Sequence, residues 1–459
     1  MTAEADLEGR PGPSALLVDL YELTMAESYF AEGMHERPAT FSLFTRHLPA
    51  GWGYLVAAGL DDVLSYLETF SFRDEELVYL EETRLFTPAF LSFLAGLRFT
   101  GDGRAMPEGT LFFPNEPVLE VTAPVLQAQL VETIVLQEIH FQSLVAGKAA
   151  RCVDVARGTT LVEFGLRRTH RADAGMRVAR SSYLAGFDST SNVLAGMAYG
   201  ISIAGTMAHS YVEAFRDEPA AFRAFTRSFP DGCILLIDTY ETVEGARRAA
   251  AVGRELAEQG HRLMGVRLDS GDLGGLSRRA RSILDEAGLL DAIVFASGGL
   301  DEHDVAELLE AGAPIAGFGI GSKLGTVADS PFLDMAYKLV EYDGRPTLKL
   351  SATKATLPGL KQVWRLTADG AYAIDMLGLA GERPRKGGEP LLETVMEGGR
   401  RLLHESLETA RRRCAAQRHL LPEKYRALAA ERYEVELTPA LVALRDRVAD
   451  EARRRHGLA

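Results

Sequence analysis

The residues best suited to chemistry follow six short apolar runs in the middle of the chain. Each run has the composition of a buried strand and is followed at once by polar, charged or glycine residues. The runs are residues 161–164, 201–204, 234–237, 263–266, 293–296 and 315–318. Most gaps between them have helical apolar spacing, which predicts a parallel sheet with right-handed crossovers. Six such units suggest a barrel at least as much as an open sheet. The polar residues then share the carboxyl-end rim, where α/β barrels carry their active sites.

One cation and two carboxylates follow the fourth run, as Arg267, Asp269 and Asp272. Carboxylates beside a phosphate site can hold ribose hydroxyls, directly or through Mg²⁺. The alternative is an Arg–Asp ion pair with Ser270 or Asp272 capping the next helix. We expect Arg267 and Asp269 to be functional, whereas a purely capping role for Asp272 stays open.

Two glycine turns follow the last two runs. They are Ser297-Gly298-Gly299 and Gly319-Ile320-Gly321-Ser322. Glycine lets backbone amides approach an anion, and the late loops of α/β barrels commonly hold a phosphate. Either turn alone could be an ordinary connection from strand to helix. The pair in consecutive units favours a phosphate site.

His209 lies just past a predicted strand, beside Thr206 and Ser210. A single histidine can equally be a structural residue, but this setting makes it a catalytic candidate. Arg167 and Arg168 are adjacent and would point to opposite sides of an extended chain, so we expect only one of them to face the rim. The histidines show no metal-binding pair, and the sequence has neither a Walker-type loop nor a nucleophile elbow.

Composition narrows the classes of function. The net charge of −14 argues against a general nucleic-acid binder, although a few local cations can still hold a phosphorylated small molecule. The three cysteines lie far apart and form neither a disulfide framework nor a metal motif. The first residues lack the pattern of a secretion signal, and no apolar run reaches the roughly 20 residues of a membrane span. We therefore expect a cytoplasmic enzyme that binds neither nucleic acid nor membrane.

Outside the middle region the elements alternate less regularly. Helices are predicted at 16–30, 59–70, 87–97 and 127–146, a strand at 40–48 and a strand-rich segment at 109–122. Hairpins are predicted around the turn dipeptides Asp343-Gly344 and Asp369-Gly370. The length of 459 residues predicts two or three domains.

Taken together, these segments resemble the nicotinate phosphoribosyltransferase family from about Leu16 to Arg365. The matching motifs are DLYELTM at 19–25, PEGT at 107–110, FFPNEP at 112–117, EFGLRR at 163–168, GFDSTSN at 186–192, GTMAHS at 205–210, GVRLDSGD at 265–272 and KLV at 338–340. So many ordered matches make the resemblance specific.

The resemblance implies an irregular α/β barrel of the type II phosphoribosyltransferase class with an α/β sandwich domain. We accordingly predict a flexible lead at 1–14, a sandwich domain at 15–130 completed by C-terminal segments, the barrel at 131–345 and a C-terminal region at 346–459. The resemblance also implies a homodimer with the active site near the subunit interface. The implied reaction joins nicotinate to phosphoribosyl pyrophosphate with Mg²⁺, gives nicotinate mononucleotide and pyrophosphate, and is coupled to ATP hydrolysis through a phosphohistidine.

Site residues are implied by position in the matching motifs. His209 matches the phosphorylated histidine, and it forms the expected catalytic set with Arg267 and Asp269. The residues implied to hold nicotinate are Tyr21, Arg167, Thr206 and Arg267. Those implied to hold the phosphoribosyl phosphate are Ser297, Gly298, Gly299, Gly319, Gly321 and Ser322, where the family often has Thr in place of Ser322. Asp269 and Asp272 are the expected Mg²⁺ ligands.

Three alternatives remain open at this point. A sibling enzyme would use nicotinamide or quinolinate, and quinolinate would want further cations for its second carboxylate. A non-catalytic nucleotide-binding regulator would lack the acidic residues and the histidine at the rim. A barrel aldolase or isomerase would want a Lys or Glu base at a strand end, for which Lys323 and Glu163 are the only candidates.

Overall fold

The computed structural model describes residues 14–350, 356–383 and 387–457. The predicted flexible lead, 1–14, lies outside this part except for Ser14. The chain divides into two compact units, one formed by Met1–Gly147 with Phe332–Ala459 and the other by Lys148–Pro331. Among the described residues, no helix has both the length and the apolar character needed to cross a membrane.

The N-terminal part of the first unit alternates helices with short strands. Its elements are α1 (Leu20–Ala31), β1 (Pro38–Thr45), β2 (Leu55–Val56), α2 (Leu60–Thr69), α3 (Asp74–Thr83), α4 (Pro88–Gly96), β3 (Asp102–Ala105), β4 (Leu111–Phe112), β5 (Pro117–Pro124), α5 (Val125–Leu130) and α6 (Glu132–Val155). The predicted helices and strands of this region are confirmed, with shifts of a few residues at their ends. The predicted helix at 127–146 is divided into α5 and the longer α6.

The second unit contains the predicted alternation of strands and helices. Its elements after α6 are β6 (Thr160–Glu163), α7 (Ala172–Ala185), β7 (Ser189–Thr190), α8 (Val193–Tyr199), α9 (His209–Glu213), α10 (Glu218–Ser228), β8 (Ile234–Leu236), α11 (Thr242–Glu258), β9 (Gly265–Leu268), α12 (Leu273–Glu286), β10 (Ile293–Ala296), α13 (Glu302–Glu310), β11 (Gly317–Ile320) and α14 (Ser322–Gly325).

All six strands of this unit form one parallel sheet in the order β7-β6-β11-β10-β9-β8. The sheet curls into a half-barrel. It is not a closed barrel, because its outer strands β7 and β8 do not pair with each other. Its central strands are mostly buried, as expected for a parallel sheet covered on both faces. The expected α/β class with a barrel-like parallel sheet is therefore confirmed.

One strand prediction in this unit is wrong. Residues 201–204 contribute only an isolated parallel bridge between Thr190 and Ile203, and the short strand at this edge is β7. Ile201 is buried but Ile203 is exposed, so the apolar run that suggested a buried strand is buried only in part.

The C-terminal part returns to the first unit and is rich in strands. Its elements are β12 (Met335–Tyr342), β13 (Arg345–Pro346), β14 (Lys361–Ala368), β15 (Ala371–Leu379), β16 (Glu389–Pro390), β17 (Glu393–Glu397), β18 (Arg400–Arg401), α15 (Leu407–Leu420), β19 (Val435–Leu437) and α16 (Pro439–His456). The hairpins predicted at Asp343-Gly344 and Asp369-Gly370 are confirmed, and all four turn residues have positive φ.

Strands from both ends of the chain share the main sheet of the first unit. Its order is β13-β12-β1-β5-β3-β17-β18, in which every pairing is antiparallel. A second sheet has the order β16-β14-β15-β19. This unit therefore combines mixed α and β structure from 14–147 and from the C-terminal third.

Candidate active site

The carboxyl ends of the half-barrel strands bring most of the predicted site residues together. Arg267 lies on β9, and its guanidinium contacts residues that follow three different segments. Nε donates to Oγ of Ser297 at 2.8 Å, Nη1 donates to Oγ1 of Thr206 at 3.1 Å, and Nη2 lies 2.7 Å from Oδ1 of Asp269. The central carbon of the guanidinium, Cζ, also lies 5.5 Å from the centre of the Phe164 ring. These contacts fix the orientation of the guanidinium.

A cavity of about 290 Å³ opens beside Arg267. Its lining combines an aromatic and aliphatic wall with two guanidinium groups and small polar residues, namely Phe164, Leu166, Arg167, Ser191, Gly205, Thr206, Met207, Ala208 and Arg267. The volume lies near the lower end of the range of about 300–1,000 Å³ for small-molecule pockets. A flat wall with cations at its edge suits a planar ring that bears a carboxylate.

Arg167 lines this cavity, whereas Arg168 is not among the lining residues. The expectation of an extended chain here is wrong, because Leu166–Arg168 form a turn of 3₁₀ helix. The turn is closed by a hydrogen bond from the amide of Arg168 to the carbonyl of Gly165 at 2.7 Å. The turn, rather than strand alternation, therefore separates the two arginines.

His209 is the first residue of α9 and is partly exposed. Its Nδ1 lies 3.2 Å from Oγ1 of Thr239, within hydrogen-bond distance, and its Nε2 lies 3.8 Å from Oδ2 of Asp269. Thr239 can orient the imidazole ring, while Nε2 points towards the carboxylate of Asp269. A histidine held in this way can act as a nucleophile or a proton carrier.

Asp269 shares its Oδ1 between Arg267 and Ser297, whose hydroxyl donates to it at 2.5 Å. Burial acts to raise the pKa of Asp269, but the hydrogen bonds from Ser297 and Arg267 outweigh it and hold the pKa below its usual value. The carboxylate therefore stays charged at neutral pH.

Sequence reasoning assigned no role to Asp238 and Thr239, which follow β8. Oδ2 of Asp238 accepts from the amide of Asp269 at 2.9 Å and from Oγ of Ser270 at 2.7 Å. Oδ1 of Asp238 is buried and has no partner among the described residues. The sequence did contain a pattern that could have identified Asp238 and Thr239. Both follow directly after the apolar run 234–237, just as the other rim residues follow theirs.

The carboxylates suit a magnesium ion that arrives with a phosphorylated substrate. Mg²⁺ usually keeps several waters and binds one or two carboxylates together with substrate phosphates. The unpartnered oxygen of Asp238 and the nearby Asp269 fit that pattern, and the described residues contain no group of three or more His, Cys, Asp or Glu side chains arranged as a metal cage. Asp272 is occupied as the N-cap of α12, where its Oδ1 accepts from the amide of Gly275 at 3.0 Å.

The two glycine turns lie side by side, because β10 and β11 are neighbours in the sheet. Gly298 and Gly299 have φ of 102° and 73°, and a Cβ atom on Gly298 would lie 1.9 Å from the carbonyl oxygen of Asp269. The amides of Gly298 and Gly299 donate to no group in the described parts of the chain. Ser297 is different, because its amide donates to Leu268 and its hydroxyl serves Arg267 and Asp269.

The second turn is packed against the loop after β6. A Cβ atom on Gly319 would lie 2.4 Å from the ring of Phe164, and one on Gly321 would lie 2.5 Å from the carbonyl oxygen of that residue. Ser322 begins α14, so its amide lies at a helix start and lacks an intrahelical partner. The loop thus has both a packing reason for its glycines and free donors at its tip.

Tyr21 belongs to the other compact unit. It lies on α1, and its side chain is exposed together with those of Leu17 and Leu20.

The two candidates for a barrel base are both engaged otherwise. Glu163 is buried, its carboxylate accepts from the Gly165 amide, and its Oε2 accepts from Oγ1 of Thr190 at 2.6 Å. Lys323 forms ion pairs with Asp301 and Asp304. Neither side chain is placed as the base of an aldolase or isomerase.

The parallel half-barrel sheet, with polar residues at the carboxyl ends of its strands, places the chain among α/β proteins that carry a barrel-type active-site rim. Two family models match the chain, one described as the nicotinate phosphoribosyltransferase (NAPRTase) N-terminal domain at residues 16–140 and one as the nicotinate phosphoribosyltransferase (NAPRTase) family at residues 159–353. The chain belongs to the nicotinate phosphoribosyltransferase family, an enzyme family, and the resemblance inferred from the sequence is confirmed.

Known relatives cover nearly the whole chain. Nicotinate phosphoribosyltransferase pncB2 of Mycobacterium tuberculosis (strain ATCC 25618 / H37Rv) is 48% identical over 445 residues, which cover 96% of this chain and 94% of that protein. The crystal structure of human nicotinic acid phosphoribosyltransferase is 32% identical and has a TM-score of 0.84, covering 94% of this chain and 99% of that one. Nicotinate-nucleotide pyrophosphorylase from Pyrococcus furiosus is 25% identical with a TM-score of 0.72, covering 88% and 95%.

Proposed function

We propose that this protein transfers the phosphoribosyl group of phosphoribosyl pyrophosphate to nicotinate, giving nicotinate mononucleotide and pyrophosphate, the first step of NAD salvage from nicotinate. The observation that carries the proposal is the cavity lined by Phe164, Arg167 and Arg267, in which the Arg267 guanidinium lies over the Phe164 ring. The names of the relatives at 48% and 32% identity support the same reaction.

Nicotinate is a flat ring with one carboxylate, and the cavity offers a complement to each part. Arg267, with Arg167 and Thr206, would hold the carboxylate, since a planar guanidinium suits a carboxylate. Phe164 would support the ring of nicotinate. A ring held in this way directs its nitrogen at the ribose carbon that loses pyrophosphate.

The rest of the rim suits the phosphorylated sugar. The amides of Gly298, Gly299, Gly321 and Ser322 would receive the 5′-phosphate, with Gly319 and Ser297 shaping the two turns. Asp269 would hold ribose hydroxyls, and Asp269 with Asp238 would hold Mg²⁺, with Asp272 remaining a capping residue in this arrangement. When bound, Mg²⁺ would neutralise charge on the departing pyrophosphate.

ATP coupling through His209 is the second part of the proposal. Nε2 of neutral His209 would attack the γ-phosphorus of ATP, the bond to the bridging oxygen would break, and ADP would leave. After turnover, water would attack the same phosphorus, the nitrogen–phosphorus bond would break, and phosphate would leave with the imidazole restored. The contact between Nδ1 and Thr239 supports this choice of atom, because it leaves Nε2 available.

We also propose that the protein acts as a cytoplasmic homodimer. Exposed apolar side chains lie at Leu17, just before α1, at Leu20 in its first turn, and on α8 at Val193 and Met197. The side chain of Ile203 packs against α8, because a Cβ atom on Gly196 would lie 2.4 Å from it. Ile203 therefore extends the exposed apolar group formed by Val193 and Met197. Such patches are typical of interfaces between protein chains. Cys152, Cys233 and Cys414 are buried and form no disulfide with one another, which suits a reducing compartment.

The test is a comparison of nicotinate, nicotinamide and quinolinate, each supplied with phosphoribosyl pyrophosphate, Mg²⁺ and ATP. We expect nicotinate to have the highest kcat/KM, because two cations face one carboxylate and neutral nicotinamide offers them no charge. A higher kcat/KM for quinolinate or nicotinamide would assign the chain to one of the sibling activities instead.

A further inference from the structure

An ion-pair network joins the two glycine turns from outside the turns themselves. Lys323 follows directly on the second turn, whereas Asp301 and Asp304 lie at the start of α13, just after the first turn. Nζ of Lys323 lies 2.9 Å from Oδ2 of Asp301 and 2.8 Å from Oδ2 of Asp304. A single ammonium therefore connects segments that are separated in sequence by α13 and β11.

Both carboxylates are themselves fixed by the start of α13. Asp301 is its N-cap and accepts from the amides of His303 and Asp304, while Oδ2 of Asp304 accepts from the amide of Asp301 at 2.9 Å. Burial acts to raise the pKa of Asp301, but the hydrogen bonds from Lys323 and Asp304, together with the charge of Lys323, lower it to about 2. The network consequently holds the ammonium and both carboxyl groups in fixed positions.

We propose that Lys323 is a positioning residue for the phosphate of the phosphoribosyl substrate. It holds the turn at 319–322 against the turn at 297–299, and it offsets the charge of two carboxylates that would repel a phosphate bound there. The inference rests on the proposed function, because it takes the turns as the 5′-phosphate site. Preorganised amides bind an anion without reorganising, so loosening the two turns weakens the site.

Lys323 acts through the carboxylates rather than as a ligand of the phosphate. An ammonium has three donors, and both Asp301 and Asp304 lie within hydrogen-bond distance of this one. Removal of the ammonium alone leaves two uncompensated carboxylates beside the turns. Removal of one carboxylate as well relieves part of the repulsion between the carboxylates and a bound phosphate. If Lys323 acts through the carboxylates, the double variant should therefore bind phosphate better than the single variant does.

The experiment compares Lys323→Met, Lys323→Arg and the double variant Lys323→Met/Asp304→Asn in the full chain. Supporting residues around a ligand's direct contacts, where measured around metals, are worth about 10- to 100-fold. We expect Lys323→Met to raise the KM for phosphoribosyl pyrophosphate at least about tenfold, with much less change in the KM for nicotinate. Lys323→Arg should restore most of the loss, and the double variant should bind better than Lys323→Met.

Equilibrium binding of ribose 5-phosphate, measured by calorimetry, provides a readout independent of turnover. The matched control is Arg223→Met, which breaks an ion pair at 2.7 Å between α10 and α11 in the same unit and should change neither KM. Lys323→Gln serves as a second variant should Lys323→Met fail to fold.

Two results would overturn the positioning role: an unchanged affinity for ribose 5-phosphate and phosphoribosyl pyrophosphate in folded Lys323→Met or Lys323→Gln, or a double variant that binds more weakly than Lys323→Met. The second result would show that Asp304 supports the turns through its own hydrogen bond to the Asp301 amide, and not that Lys323 offsets its charge. Wild-type protein that binds ribose 5-phosphate but forms no nicotinate mononucleotide would contradict the proposed function alone. The binding comparison would then still decide the role of Lys323.

Discussion

Arg267 and Asp269 are two residues apart at the end of β9, and they form an ion pair in which Nη2 lies 2.7 Å from Oδ1. Ser297 joins both side chains, since it accepts from Nε of Arg267 and donates to Asp269. The cation proposed to bind nicotinate is thus coupled directly to the carboxylate proposed to bind ribose. Occupation of either half of the site should therefore depend on the integrity of the other.

Replacement of Arg267 by Ala should lower kcat/KM for nicotinate at least about tenfold, because a charge-assisted hydrogen bond contributes about 1.5–3 kcal/mol. The preference for nicotinate over nicotinamide should fall in parallel, since only the carboxylate uses the charge. Arg262→Ala is the control, because Arg262 is exposed and its ion pair with Asp291 is long, at 3.5 Å. If Arg267→Ala kept the wild-type ratio of kcat/KM for nicotinate to kcat/KM for nicotinamide, Arg267 would have no role in recognising the nicotinate carboxylate.

Gly299 tests the phosphate site more cleanly than Gly298. A side chain on Gly298 would collide with the carbonyl of Asp269, whereas nothing lies within 4 Å of a Cβ on Gly299. Gly299→Ala should raise the KM for phosphoribosyl pyrophosphate more than that for nicotinate, because Ala disfavours the φ of 73° that places the amides. Crystals grown in sulfate should show an anion on the amides of Gly298, Gly299, Gly321 or Ser322.

The matched control is Gly312→Ala at the other end of α13, with φ of 67° and equally open surroundings. It should cost similar stability and leave both KM values unchanged. An equal effect of the two alanine variants on the KM for phosphoribosyl pyrophosphate, or an anion bound only elsewhere, would argue against the phosphate site.

His209 should take up phosphate from ATP. Incubation with γ-labelled ATP should label the wild-type protein in an acid-labile, base-stable form, as expected for a nitrogen–phosphorus bond. His209→Asn should take up no label and lose the stimulation of turnover by ATP, while keeping a low ATP-independent rate. His261→Asn, which changes a partly exposed histidine of the same unit, should label normally. Normal labelling of His209→Asn would return His209 to a structural role.

Glu22, next to Tyr21 on α1, should make stability depend on pH. Its side chain is fully buried, Oε1 accepts from Oγ1 of Thr133 at 2.6 Å, and Oε2 has no partner among the described residues. Burial, reinforced by the charges of Glu132 and Asp19, raises the pKa of Glu22 from 4.5 to about 7. The folded protein then holds this proton more tightly than the unfolded chain does.

The free energy of unfolding should therefore fall as pH rises from about 4.5 to about 7 and then level off, by at most about 3 kcal/mol from this group. Glu22→Gln should stabilise the protein at pH 8 and flatten this part of the profile, as measured by denaturant unfolding at several pH values. Glu27→Gln on the same helix is the control. A profile for Glu22→Gln that matches wild type would contradict the assignment.

The rim could be predicted from the sequence because parallel strands end together. Buried runs such as 293–296 are followed directly by the polar residues, so strand order alone places Ser297 near Arg267 without knowledge of side-chain contacts. The run at 201–204 misled the prediction, since apolar composition alone does not show whether a segment pairs along its length as a strand or forms only a single bridge. The 3₁₀ turn at Arg167 depends on a local hydrogen bond to Gly165 that residue types do not reveal.

Contacts between loops were beyond sequence reasoning. Thr239 meets His209 across 30 residues, and Asp238 holds the Asp269 amide across 31. Such distances depend on how far the sheet curls and on where each loop turns back, and neither is encoded in spacing. The tie between Lys323 and Asp304 is of the same kind, because it depends on α14 facing the start of α13.

The most direct test of the account is product analysis by mass spectrometry from nicotinate, phosphoribosyl pyrophosphate and Mg²⁺, with and without ATP. We predict nicotinate mononucleotide and pyrophosphate in equal amounts, formed faster when ATP is present and accompanied then by ADP and phosphate. Absence of nicotinate mononucleotide under both conditions, from folded protein that binds ribose 5-phosphate, would contradict the proposed function.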